Sequence, residues 1–323
     1  MRKFFNFLFL FLLIFSCSKE NLYKNEDTKF VMGTYLRIVV YGDNKDDLKV
    51  KIDSSFILAQ KLDKKFSVFD GSIALINKEG KGLIDHDFKL LINHSYEVYK
   101  ITKGDFDITV FPLIKLWGFA DNEPHLPDST SIRDVLKKVD MKKVVIKGDS
   151  IFLNYTEIDL SSIAKGYIVD KVVEYLRNNG ITTGLVDAGG DIRVWGSRRK
   201  KSFYKIGLKN PRGKGLIDTL RLKDISVATS GDYENYFLEN GKRYCHLINA
   251  NTGYPVDRFV SVTVFNEKAY IADMWATALF VSGEKAFEIV KRSNIRAIFV
   301  YKDAKSLKLV EYDRGKILRE KRL

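Results

Sequence analysis

Between Ser161 and Trp195 the apolar rhythm of the chain changes from helical to strand-like within a few residues. This switch limits the possible folds more than any bulk property. Ile163, Tyr167, Val173 and Leu176 mark a helix from Ser161 to Asn178, which Asn179-Gly180 is suited to end. Two short apolar strands are predicted next, Gly184 to Val186 and Asp191 to Trp195, with Gly189-Gly190 between them. Paired glycines permit positive φ and let a ligand approach backbone amides, and a tight turn explains them equally well. They form no G-x-G-x-x-G fingerprint and lack a strand-to-helix context, so nothing supports a Rossmann reading.

The same reading extends along the chain. A strand is predicted from Thr34 to Tyr41. Leu48, Ile52, Phe56, Ala59 and Leu62 recur at helical spacing, as do Leu91, Ser95, Val98, Tyr99 and Thr102. Residues 121–129, with two prolines, read as a surface loop. Val144 to Ile146 and Ile151 to Leu153 flank Lys147-Gly148-Asp149-Ser150, which is hairpin chemistry. Further strands are expected at Tyr204 to Leu208 and Ser261 to Phe265, and helices from about Ala269 to Val281 and Gly283 to Ser293. Strands Arg296 to Tyr301 and Leu307 to Tyr312 are expected to close the chain. This mixed order predicts an α+β protein with a largely antiparallel sheet. With 323 residues, 45% of them hydrophobic, residues 30–323 can form one domain of two intimately joined subdomains.

The N-terminus is a separate object. Arg2 and Lys3 precede an apolar run from Phe4 to Phe15, so residues 1–16 read as a signal peptide. The run ends in Leu13-Ile14-Phe15-Ser16-Cys17, which resembles a bacterial lipobox, and Cys17 is the expected lipidation site. Residues 17–29 read as a tether, which would place the domain at the periplasmic or extracellular side of a bacterial membrane. After the leader no run reaches the 18 or so apolar residues that a span requires. Cys245 is then the only other cysteine and reads as a buried strand residue. The net charge of +13 is scattered, without zinc-finger spacing or an aromatic-basic ladder, so no nucleic-acid partner is expected.

Several residues point to chemistry. Asp273 and Thr277, four apart on a predicted helix, present two oxygens on one face and suit a hard cation such as Mg²⁺; helix decoration is the bland alternative. In Asp159-Leu160-Ser161-Ser162-Ile163-Ala164-Lys165-Gly166, a helix N-terminus and a lysine suit a phosphate, and Gly166 allows close approach. An N-cap beside a solvated lysine would look the same. His246, in Tyr244-Cys245-His246-Leu247-Ile248, is a candidate general base, although a lone strand histidine is commonly structural. His86, His94 and His125 lie outside every motif.

Taken with Val186-Asp187-Ala188-Gly189-Gly190-Asp191, Ala228-Thr229-Ser230-Gly231-Asp232-Tyr233, Asn251-Thr252-Gly253-Tyr254-Pro255 and Ala272-Asp273-Met274-Trp275-Ala276-Thr277, these motifs resemble the ApbE family of FAD:protein FMN transferases over residues 30–300. The resemblance implies Mg²⁺ held by Asp273, Thr277 and the carbonyl of Ser162. A further carboxylate sometimes present in the family falls on Ala276. It implies FAD contacts at Met32, Phe69 (where Tyr is usual), Phe106, Asp107, Ile108, Asp159, Lys165 and Ile248, with Thr229 and Ser230 facing the same cleft. His246, with Asp232 as an orienting group, would activate a Thr or Ser hydroxyl of an acceptor protein. That oxygen would attack the FMN phosphorus of FAD and release AMP. Acceptors in the family include membrane redox-pump subunits and flavin-carrying electron-transfer domains. An FAD pyrophosphatase and a non-catalytic FAD-binding lipoprotein are the alternatives.

Overall fold

The computed structural model describes residues 22–196, 203–303 and 306–323. From the N-terminus, β1 (Tyr23–Val31) and β2 (Thr34–Gly42) form a hairpin, followed by α1 (Lys45–Phe66), α2 (Ser72–Glu79), β3 (Lys81–Leu83) and α3 (His86–Thr102). Next come α4 (Phe111–Leu116), α5 (Ser129–Leu136), β4 (Val144–Lys147), β5 (Ser150–Leu153) and α6 (Ser161–Asn178). Then follow β6 (Thr183–Ala188), β7 (Asp191–Trp195), β8 (Tyr204–Lys209), β9 (Leu216–Leu222) and β10 (Ser226–Gly231). The chain continues through β11 (Tyr236–Glu239), β12 (Lys242–Cys245), β13 (Phe259–Asn266), α7 (Ala269–Val281) and α8 (Lys285–Lys291). It ends in β14 (Arg296–Asp303), β15 (Ser306–Asp313) and β16 (Lys316–Arg322).

Nine strands pair antiparallel in the order β1-β2-β6-β7-β10-β13-β14-β15-β16. Both faces of this sheet are covered, which period-two alternation makes possible. In β2, Leu36, Ile38 and Val40 enter the main core while Val39 enters a second one. Helices α1, α6 and α7 fill the main core, through Phe56, Ile163, Val172, Met274 and Phe280 among others. The β8–β9 hairpin covers the second face with Tyr204, Leu208, Leu220 and Leu222. A third cluster gathers Leu113, Trp117, Phe119, Ile132 and Ile248 beside α4 and α5.

This is the α+β architecture with an antiparallel sheet that the periodicity predicted. The short helices α2, α4 and α5 and the strands β3, β9, β10 and β11 have no counterpart in the periodicity, although β10 lies inside the large sheet; the other differences lie at its edges. Much of the expected tether is β1, whose residues pair from Tyr23↔Gly42 to Val31↔Thr34. Its charged residues read as solvated chain, but they suit an edge strand, which charge protects from pairing with another molecule. Likewise β15 does not close the chain, because the basic β16 forms the opposite edge.

Helices α6 and α7 cross closely at Gly166. A Cβ there would lie 2.5 Å from the Ala269 carbonyl oxygen and 2.6 Å from the Tyr270 Cα, both backbone atoms. Gly166 therefore serves helix packing, where its sequence context suggested approach to a ligand. Gly166→Ala must push the two helices apart, and a loss of about 1–3 kcal/mol is expected. Thermal unfolding measures this, and an unchanged midpoint would show that the crossing yields at no cost.

Candidate active site

A cleft of about 460 Å³ opens where the ends of β2, β6 and β10 meet the start of α6, the middle of α7 and the segments around Phe106 and His246. Each wall is held by local chemistry. The β1–β2 turn passes through Met32 and Gly33, both at positive φ (60° and 66°), the geometry two-residue hairpin turns require. Methionine tolerates this conformation poorly, and its N–H is anchored by donating to Asp63 Oδ2 at 2.9 Å. Gly189 and Gly190 likewise sit at positive φ, and a Cβ on Gly189 would lie 2.3 Å from Thr34 Oγ1.

Two buried aspartates shape the floor. Asp107 caps the short 3-10 turn after it, accepting from Thr109 N and Oγ1 at 2.7 Å each and from Met141 N at 2.9 Å. Burial pushes its carboxyl up to about 6 despite these donors. Asp159 accepts from Ser161 N and Oγ at 2.7 and 2.9 Å, and its own N–H donates to the Ile108 carbonyl at 2.7 Å. Burial raises its pKa too. Phe106, Asp107, Asp159, Ser162 and Lys165 all line the cleft.

At one end, oxygens converge. Asp273 is 4% exposed, and its Oδ2 accepts from Gly166 N at 2.9 Å, so the close helix crossing places this carboxylate beside the start of α6. Burial, reinforced by Asp191, pushes the Asp273 carboxyl up to about 7. Thr277 Oγ1 lies 3.1 Å from Ser230 Oγ. Lys165 Nζ pairs with Asp191 and stands 3.9 Å from Asp273 Oδ1. Burial alone would lower the lysine pKa, but the two carboxylates outweigh it and hold the ammonium charged. Among the described residues no group of three or more His, Cys, Asp or Glu side chains could hold a metal. A cation here would rely on one carboxylate plus hydroxyl and carbonyl oxygens. Such an oxygen-only set fits a hard ion that completes its shell with water and phosphate.

His246 lines the cleft beside Leu247 and Ile248. Its backbone N–H donates to the Asn235 carbonyl at 3.0 Å, and its Nδ1 lies 3.1 Å from the same oxygen. A carbonyl only accepts, so Nδ1 carries the proton and Nε2 keeps its lone pair. Burial lowers the His246 pKa, and Lys165 adds to that effect. The turn that follows is a structural knot. Asn249 and Asn251 donate to Asp105 Oδ1 at 3.0 and 2.9 Å, Lys285 reaches Asp105 Oδ2 at 2.9 Å, and Trp117 Nε1 donates to Gly253 O at 2.9 Å.

The cleft thus unites Met32, Phe106, Asp107, Asp159, Ser162, Lys165, Thr229, Ser230, His246, Ile248, Asp273 and Thr277. Three expected site residues, Asp232, Ile108 and Phe69, do not line the cleft. Asp232 does not line the cleft or bond to His246; its carboxylate is taken by Arg212. Ile108 is a core residue that contributes its backbone carbonyl to Asp159. Phe69 is 71% exposed and lies on a separate, shallower depression with Phe111 and Lys115. Ala276 is fully buried in the main core and lines no part of the cleft. Cys17 lies outside the described residues. Sequence reasoning assigned no role to Asp191, Asn235 or Asp63. Asp191 ended the paired-glycine motif, but nothing local indicated that it meets Lys165, 26 positions away.

The fold and the site define an α+β protein with a cleft of mixed polar and apolar lining between an antiparallel sheet and two crossed helices. Residues 32–299 match the ApbE family, and the chain belongs to that family. The FAD:protein FMN transferase of Vibrio cholerae serotype O1 is 35% identical over 211 residues, 63% of this chain and 63% of that protein. The Treponema pallidum protein of the same name is 28% identical over 303 residues, 85% of this chain and 84% of its own. Among solved structures, the ApbE protein of Thermotoga maritima superposes with a TM-score of 0.81 at 33% identity, covering 86% of this chain and 94% of that one. The flavin transferase ApbE of Vibrio cholerae gives 0.82 at 26% identity, covering 91% and 98%.

Proposed function

We propose that this protein transfers FMN from FAD to a Thr or Ser hydroxyl of an acceptor protein, with Mg²⁺ present, and releases AMP. The convergence of Asp273, Thr277, Ser230 and Lys165 at one end of a cleft that also contains His246 carries this reading. The names of the relatives supply the substrates. Asp273, Thr277 and the Ser162 carbonyl would hold Mg²⁺, which when bound neutralises pyrophosphate charge. Lys165 and the start of α6 bind and orient the same phosphates. Met32 offers an apolar contact on the flavin side, Phe106 one at the adenine or ribityl region, and Ile248 a further apolar contact to FAD. His246 Nε2 takes the acceptor hydroxyl proton as the new O–P bond to FMN forms and the P–O bond to AMP breaks. Positioning and charge neutralisation supply most of the acceleration. The lipobox-like sequence ending at Cys17 supports lipid anchoring to a bacterial membrane, on its periplasmic or extracellular side.

The test is the intact mass of a Thr-containing acceptor domain incubated with the protein, FAD and Mg²⁺. A gain of one FMN less water, abolished by EDTA, is expected. Free FMN and AMP with an unmodified acceptor would favour a pyrophosphatase, and unchanged FAD bound to the protein would favour a carrier.

A further inference from the structure

The β8–β9 hairpin belongs to the second core, on the face of the sheet that carries none of the helices around the cleft. Its loop nevertheless reaches the segment whose neighbouring residues form part of the cleft wall. Arg212, in that loop, grips Asp232 with both arms of its guanidinium, Nη1 lying 2.8 Å from Oδ1 and Nη2 bonding Oδ2. Asp232 is 7% exposed and follows β10 directly, with its N–H donating to the Val260 carbonyl at 3.0 Å. Arg243, which stacks 3.6 Å over the Tyr236 ring, donates to the Asp232 carbonyl at 3.4 Å. A two-pronged pair in so sheltered a place holds geometry better than an exposed ion pair does.

Three residues beyond Asp232 stands Asn235, whose carbonyl receives both the backbone N–H and Nδ1 of His246. Gly231, Glu234 and Asn235 form part of the cleft wall, whereas Arg212 does not. We infer that Arg212 is a positioning residue: through Asp232 it fixes the 231–235 segment, and through the Asn235 carbonyl it holds His246 in the tautomer that leaves Nε2 as base. The kinetic part of this role rests on the transferase reading; the geometric part does not. An ion pair that only pinned the hairpin to the sheet would change thermal stability and leave the imidazole untouched.

Arg212→Ala and Arg212→Lys are compared with wild type in the full chain labelled with ¹⁵N-histidine. The chain has four histidines, and the His246 ring signals are those missing from His246→Gln. In Arg212→Ala, kcat is expected to fall about 10–100-fold, the range typical of groups that orient a reacting ligand. KM for FAD should stay within about threefold, since no phosphate contact is lost. The His246 ring nitrogens should move from a single Nδ1–H form toward an average of two tautomers. Arg212→Lys keeps the charge without the fork and should fall between. Wild-type kcat in Arg212→Ala, or a reduced kcat with unchanged ring signals, overturns the inference. If Arg212→Ala does not fold, Arg212→Lys decides by the same two readouts. If wild type transfers no FMN, the transferase reading fails while the ring signals still test the positioning role.

Discussion

Asp273→Asn is expected to abolish FMN transfer, with a loss of ~10³-fold or more, while the protein stays folded. The carboxylate does two separable things. Its Oδ2 accepts the Gly166 N–H at 2.9 Å, an internal link between α6 and α7 that an asparagine oxygen can still make. In the proposed cation site its charge would be the one carboxylate contribution, and asparagine removes it. Asp273→Ala removes both. The Gly166 N–H is then left buried without an acceptor, at a further cost of about 1–3 kcal/mol. Thermal unfolding should therefore rank wild type and Asn close together and Ala below them, whereas the transfer assay should find both variants inactive. Mg²⁺ titration followed by calorimetry gives an independent readout. Near-normal turnover by Asp273→Asn would sink the metal assignment.

His246→Ala is expected to lower the transfer rate by about 10²–10⁴-fold, the usual contribution of a positioned general base, with FAD binding nearly unchanged. The His246 side chain lines the cleft and is not itself part of the main core, although its neighbours Cys245 and Leu247 are, so its removal should cost little stability. The pH profile gives a second test. Burial holds the histidine pKa below its ordinary value of 6.5, so the base stays neutral to lower pH than a free imidazole would. The rate should accordingly fall only as pH drops below 6.5, and His246→Ala should lose that acid limb. A variant that retains the same limb would show that another group titrates there.

The long helices were the most legible part of the fold, whereas α2, α4 and α5, of eight residues or fewer, left no periodic signal. The observed limits of α6 and α7, Ser161–Asn178 and Ala269–Val281, coincide with the sequence reading, because α6 repeats its apolar residues at helical spacing and α7 is an apolar stretch too long for an ordinary strand. The edge strands were the least legible. In β1 and β16 charged residues outnumber apolar ones, and a strand with one open edge has little reason to alternate cleanly. Phe69 and Ile108 show the matching difficulty at the site. An apolar residue beside a motif can face core, rim or ligand, and chain spacing does not separate these.

What the sequence determined by itself was the local chemistry: which residues start helices, which turns admit positive φ, and which oxygens, lysine and histidine are available. The tertiary structure decided which of them meet. Lys165 finds Asp191, Gly166 finds Asp273, Ser230 finds Thr277, and Asn235 holds His246. It also took Asp232 out of the cleft by giving its carboxylate to Arg212. The reason is physical. Hydrogen bonds and charge interactions depend on separation in space and on burial, and residues 107 positions apart acquire both only when two helices cross at a glycine.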